Sequence, residues 1–141
     1  MSTPKAFAEI AENLTFLDDW EDRYRYLIEL GQALPPLPEA DRIESNKVRG
    51  CASQVWLASD ARPGAEGPVL ELRGDSDAMI VKGLVAVLLA LYSGRPASEI
   101  ARTDAMQLFD ELGLREHITT QRANGLSSMV ARIRDQAQAL S

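Results

Sequence analysis

Among its 141 residues this chain holds one cysteine and one histidine, and that scarcity removes whole classes of chemistry. One cysteine permits no internal disulfide, and no cage of several thiolates around zinc or an iron–sulfur cluster can be built from it. A lone free thiol suits a reducing compartment. Basic side chains are outnumbered, 15 against 21 acidic ones, for a net charge of −6. The cationic footprint that nonspecific nucleic-acid binding needs is therefore missing, so no nucleic-acid partner is expected. An acidic surface favours a partner patch of opposite sign. Long apolar runs are scarce too. The greasiest, Met79 to Tyr92, is too short to cross a bilayer and carries Lys82 within it. No apolar signal core or cleavage pattern follows Met1, so the chain is expected to be soluble, cytoplasmic and without a membrane partner.

What is present suits one compact domain over residues 1–141. Hydrophobic residues make up 45%, enough for a core, and seven prolines with nine glycines are ordinary usage. The order of elements reads as helices, a small sheet, then more helices. Thr3-Pro4 predicts a short helix to about Glu12. Asp18-Asp19 caps a second, on which Trp20, Tyr24, Leu27 and Ile28 share a face. Gly31 and the Pro35-Pro36-Leu37-Pro38 run are expected to end it. Helical period then disappears from Arg42 to Gly74. Val55 and Leu57 alternate with their neighbours as a strand, Leu70 and Leu72 as a second, and the polar Asp60–Pro68 stretch joins them as a hairpin. Residues 46–49 are expected to supply a third, short strand.

Helix returns with Asp75-Ser76-Asp77 as its start signal and runs to about Ser93. It is apolar nearly all round, which marks a helix in the middle of a domain. Gly83 within it lets a neighbour's backbone approach closely, at a helix-propensity cost of about 1 kcal/mol. Short helices open at Pro96 and at Thr103-Asp104. A last one is capped by Thr119 or Thr120, with Leu126, Met129, Val130, Ile133 and Leu140 in one stripe. The expected fold class is α+β, a small three-stranded antiparallel sheet packed against helices.

Cys51 is the focus of the chemistry. It stands where an irregular basic stretch meets a strand. Only a thiolate attacks sulfur effectively, and Arg49, Lys47 and Arg42 are placed to raise the thiolate fraction, partly offset by Asp41 and Glu44. Gly50 removes a side chain beside it and permits a tight turn. The absence of a second thiol also protects a persulfide, because a neighbouring thiol would form a disulfide and expel the sulfur as sulfide. Free cysteines are nonetheless among the most buried residue types. Two readings thus stand, a packed thiol and a working nucleophile.

Arg49-Gly50-Cys51-Ala52-Ser53-Gln54-Val55-Trp56-Leu57 resembles the signature of the SufE family of cysteine-desulfuration proteins. Three further stretches agree in order and spacing. They are Trp20-Glu21 through Tyr24, Leu27 and Glu29-Leu30-Gly31 to Leu34-Pro35; Leu72 to Asp77 with Ile80-Val81-Lys82-Gly83-Leu84; and Arg122 with Gly125-Leu126. The resemblance implies a fold shared with IscU-type scaffolds and a role as sulfur acceptor. A pyridoxal-phosphate cysteine desulfurase, SufS or its relative CsdA, would place persulfide sulfur on Cys51 and be stimulated. The sulfur would pass on to an iron–sulfur scaffold. The cofactor belongs to the partner; none is expected in this chain, nor a metal. A CsdE-type acceptor serving another desulfurase is the alternative. The family's acceptor loop folds inward, so Val48, Trp56 and the central helix are candidates to shelter Cys51, which is expected to swing out on docking.

Three other positions carry weaker signals. Arg122 falls in the first turn of the last helix, where the helix dipole disfavours a cation. An anionic neighbour, the Cys51 sulfur or a carboxylate, would explain it, as would plain solvation. Asp75 is best read as part of a helix start, and the resemblance adds that its region lies near the partner surface. His117 could serve Cys51 as a base in a thiol hydrolase, although nothing else in the chain supports such a pair. A sulfur acceptor, a Cys51/His117 hydrolase and an interaction domain with an inert thiol therefore remain.

Overall fold

The computed structural model describes residues 4–140. Helices α1 (Lys5–Phe16) and α2 (Trp20–Gln32) come first, then two short 3₁₀ turns at Glu39–Asp41 and Glu44–Asn46. Strands β1 (Val55–Arg62) and β2 (Val69–Ser76) form the hairpin. Helix α3 (Met79–Tyr92), strand β3 (Arg95–Pro96), helices α4 (Ala97–Arg102) and α5 (Ala105–Glu111), and the long α6 (Thr120–Leu140) complete the chain. The sheet is antiparallel, in the order β1-β2-β3. A three-stranded α+β architecture is thus what forms.

Several local signals act as expected. The Asp19 side chain accepts from the Glu21 amide at 2.9 Å, capping α2. Thr119 caps α6 by accepting from the Arg122 amide at 3.2 Å. The cap expected at Thr3 lies outside the described residues, and α1 runs on past Glu12 to Phe16. Helix α3 is the centre of the core: Leu84, Val85, Val87 and Leu88 are fully buried between the sheet and the helices. Leu126, Met129, Val130 and Ile133 face that core, but Leu140 is exposed at the end of the stripe.

Three expectations are corrected. Gly31 does not end α2; it lies inside the helix against α3, where an added Cβ would stand 2.8 Å from the Gly83 amide nitrogen. The third strand is Arg95–Pro96, not residues 46–49. That earlier stretch makes one bridge, Lys47 to Trp56, because a 3₁₀ turn precedes it and a left-handed Gly50 follows, leaving too little extended chain for a ladder. Asp75 and Ser76 do not start α3 either. They pair with Trp56 and Val55 as the end of β2, and α3 begins after Ala78 with no side-chain cap. Tertiary pairing overrides a local capping signal here.

The α2–α3 crossing has the tightest tolerance in the fold. A Cβ on Gly83 would lie 2.1 Å from the Leu27 carbonyl oxygen. Gly83→Ala gains about 1 kcal/mol of helix propensity, yet forcing two backbones apart costs more, about 3 kcal/mol or above for overpacking of this kind. A net loss of roughly 2 kcal/mol is expected in urea unfolding; an unchanged midpoint would refute the close crossing.

Candidate functional site

Cys51 rides the tip of a loop closed at its base by short-range pairing. Val48 donates its amide to the Val55 carbonyl at 2.9 Å. On the outgoing arm Gln54 donates its amide to the Asp77 carboxylate at 3.0 Å, and Asp77 returns its own amide to the Gln54 carbonyl at 3.2 Å. Between these closures the chain turns through Gly50 at φ +89°, a conformation that favours glycine. A side chain there would also strike Ser128, whose Oγ stands 2.6 Å from the Cβ position.

Helix α6 forms the seat. Gly125, Ser128 and Arg132 are spaced i, i+3, i+7 and so share one face. Each meets a different part of the loop. Gly125 lies under Cys51: the thiol donates to the Gly125 carbonyl at 3.6 Å, and a Cβ on Gly125 would stand only 3.3 Å from Sγ. Ser128 lies under Gly50. Arg132 donates to the carbonyls of Lys47 at 2.9 Å and Ser45 at 2.7 Å on the incoming arm. Residues Glu44 and 47–55 line a shallow hollow of about 330 Å³ around the thiol.

Cys51 is half-buried, and burial pushes its thiol pKa up. Of the basic neighbours expected to lower it, two are occupied elsewhere and the third is solvated. Arg42 pairs with the buried Asp75 carboxylate and lies 5.0 Å over the Trp56 ring. Lys47 sits 3.6 Å from Glu44, and Arg49 is exposed. The expected electrostatic activation is therefore absent in this conformation. Desolvation dominates, and the resting group is a neutral, hydrogen-bonded thiol.

The remaining predicted residues separate from the thiol. Trp56 is buried, but it supports Arg42 at the root of the loop and does not line the hollow. Asp75 is 2% exposed and held by both Arg42 and Lys82, the latter at 3.3 Å. Its carboxylate thus faces inward, toward Arg42 and Lys82. Arg122 is exposed and forms no ion pair among the described residues. Its side chain borders an apolar groove with Tyr24, Ile28, Met79 and Ile118. His117 borders that groove as well, stacked on Trp20 with ring centroids 3.9 Å apart. It makes no hydrogen bond to Cys51, so the hydrolase pair is not assembled.

Sequence reasoning missed Ser128, Arg132 and the loop-anchoring role of Asp77. The i, i+3, i+7 spacing of Gly125, Ser128 and Arg132 was visible, but not that the loop lies on that face. Among the described residues no cluster of three or more His, Cys, Asp or Glu side chains stands ready for a metal ion, and no helix is long and apolar enough to cross a membrane.

Comparison with known proteins bears on the fold and the family. Among solved structures, a hypothetical protein from Thermus thermophilus, determined in solution, matches with a TM-score of 0.78 over 99% of this chain and 98% of its own. At 21% identity it speaks for the fold alone. An uncharacterised SufE-like protein of Rhizobium meliloti is 56% identical over 130 residues, covering 92% of this chain and 93% of its own. One from Rhizobium etli is 58% identical over 130 residues, covering 92% and 88%. The family model described as SufE, an Fe-S metabolism associated domain, matches residues 8–137. With that match spanning almost the whole chain, and the only cysteine seated on a glycine of α6 at the tip of a pinched loop, this protein belongs to the SufE family.

Proposed function

We infer that this protein accepts sulfur on Cys51 from a pyridoxal-phosphate cysteine desulfurase, stimulates that enzyme, and hands the sulfur on to iron–sulfur cluster assembly. The observation that carries the reading is the placement of the chain's only thiol, half-covered, on a short loop with firm roots. A cysteine packed merely to fill a core has no need of such a loop. The chain acts as a carrier in a reducing cytoplasm, and the cofactor chemistry stays in the desulfurase.

The transfer is a thiol–disulfide type exchange. When the loop tip leaves α6, Cys51 loses the burial that raised its pKa, and the fraction present as thiolate rises as the proton passes to solvent. The thiolate attacks the outer sulfur of the donor persulfide. A new S–S bond forms at Cys51, the donor's S–S bond breaks, and the donor thiolate leaves. Product and reactant are both persulfides, so the exchange is nearly symmetric and alignment controls its rate. Once the tip returns, the cover provided by α6 limits attack by stray thiols. Arg122, one helical turn before Gly125, is the exposed cation nearest in sequence to that seat, and it is offered to the docked donor rather than to the resting thiol.

Intact mass after incubation with a cysteine desulfurase and free cysteine tests the central step. Gain of one sulfur, lost on reduction and absent from Cys51→Ser, is expected; a serine variant that relays sulfur as well as the native chain would falsify the reading. The resting thiol has its own signature. Alkylation of the folded protein should show a pH midpoint above that of an ordinary cysteine, about 8.5, while the unfolded chain shows the ordinary value. The sign follows from linkage. The raised native pKa contributes stability fully present below the unfolded value and lost as pH climbs through the folded one. A folded midpoint at or below the ordinary value would contradict the neutral resting state. Gly125→Ala should favour the helix by up to about 1 kcal/mol, yet push Sγ off its seat and speed alkylation. Unchanged alkylation would show that Gly125 is not the seat.

A further inference from the structure

Arg132 lies outside every segment that carries the family resemblance, yet it makes the most extensive side-chain connection between α6 and the acceptor loop. Its Nη1 donates to Lys47 O at 2.9 Å, and its Nη2 donates to Ser45 O at 2.7 Å. Nη2 also reaches Leu57 O at 3.4 Å. These acceptors are backbone carbonyls with a shared need. β1 forms a ladder on one side only, with β2; its outer edge makes the single bridge to Lys47, in which the Val55 carbonyl takes the Val48 amide. Leu57, two residues on, points its carbonyl to that same edge. The Lys47–Val48 arm is too short to cover the edge as a strand. A planar guanidinium, charged at every accessible pH, satisfies the arm and the edge together.

We propose that Arg132 is the positioning residue that fixes the incoming root of the Cys51 loop, and thereby sets how far and how often the acceptor thiol leaves α6. With the clamp in place, the movable chain is confined to residues 49–53, between the Val48–Val55 and Gln54–Asp77 closures. The tip meets α6 through the weak thiol bond to Gly125, the contact of Gly50 with Ser128 and the packing of the half-buried Cys51 side chain, with no backbone hydrogen bond of its own to the helix among those of the described residues. The firm root and light tip make a flap that lifts the sulfur without unravelling the arm. Without the clamp one hydrogen bond holds the arm to β1, the Val48–Val55 amide bond of its single bridge, and when that bond opens the free span grows to residues 45–53. Roughly doubling a loop makes its closure about threefold less favourable. The closed state then becomes correspondingly rarer. The purpose of the motion rests on Cys51 being the sulfur acceptor; the clamp itself does not.

The free folded protein, with no desulfurase present, supplies the test. Its Cys51 is labelled with a bulky maleimide, and Arg132→Met, Arg132→Lys and Arg134→Met are compared with the native chain. Arg134 is the matched control: it sits on the same helix and donates to a backbone carbonyl, that of Ala101 at 2.9 Å on α4, away from the loop. Arg132→Met is expected to label about threefold faster or more. Arg132→Lys should fall between, since one ammonium group cannot span two carbonyls in the same fixed geometry. Arg134→Met should label at the native rate even if it melts at a lower temperature. Native-rate labelling of Arg132→Met, or equal acceleration in Arg134→Met, would overturn the assignment. Neither result would touch the mass gain that tests sulfur acceptance, so the two readings fail separately.

Discussion

The approach of Cys51 to the backbone of α6 is the contact on which the site depends. It exists because Gly125 has no Cβ; any side chain there would begin 3.3 Å from the sulfur. This proximity sets the state of the thiol. It removes water from one side, keeps the proton on sulfur, and supplies a carbonyl to hold that proton. Reactivity is therefore stored in the position of the loop rather than in a permanently activated thiolate. In the proposed role of sulfur acceptor, that arrangement suppresses exchange with other thiols in solution.

The rest of the structure keeps that contact reversible. Hydrogen bonds gather at the roots of the loop: Val48 to Val55, Gln54 to Asp77, and Arg132 to the incoming arm. Behind them the buried Asp75 joins Arg42 and Lys82, and Arg42 also covers Trp56. Removing one partner of such a buried pair leaves an uncompensated charge, so the group acts as a brace. At the tip, by contrast, the contacts are a glycine turn against Ser128, one weak sulfur hydrogen bond and the packing of the half-buried Cys51 side chain against the core. Strong roots with a weak tip let a small displacement expose the sulfur while the sheet stays intact.

Local signals translated well wherever their partners were close in sequence. Asp19 and Thr119 cap their helices, and the β1–β2 hairpin forms around its polar connection. The signals failed where a distant partner intervened. Asp75-Ser76-Asp77 has the composition of a helix start, but pairing with β1 draws its first two residues into the sheet. Gly31 has the composition of a helix stop, but the backbone of α3 occupies the space its missing side chain leaves. Of the cations near Cys51 in sequence, Arg42 and Lys47 point to other partners once folded and Arg49 to solvent, so proximity along the chain misjudged the thiol's electrostatics.

From residues alone, the order of helix and strand signals pointed to the α+β class, and the segment around the solitary cysteine carried the resemblance to the SufE family, which in turn implied an acceptor role for that thiol. Those features reside in residue identity and short spacing, which folding does not alter. Folding alone could decide that the thiol rests neutral against Gly125, that Asp75 turns inward, that Arg122 and His117 stand apart from the sulfur, and that Arg132 holds the loop. Each of these depends on which surfaces meet across many residues of chain, and on whether a charge finds water or a partner when they do.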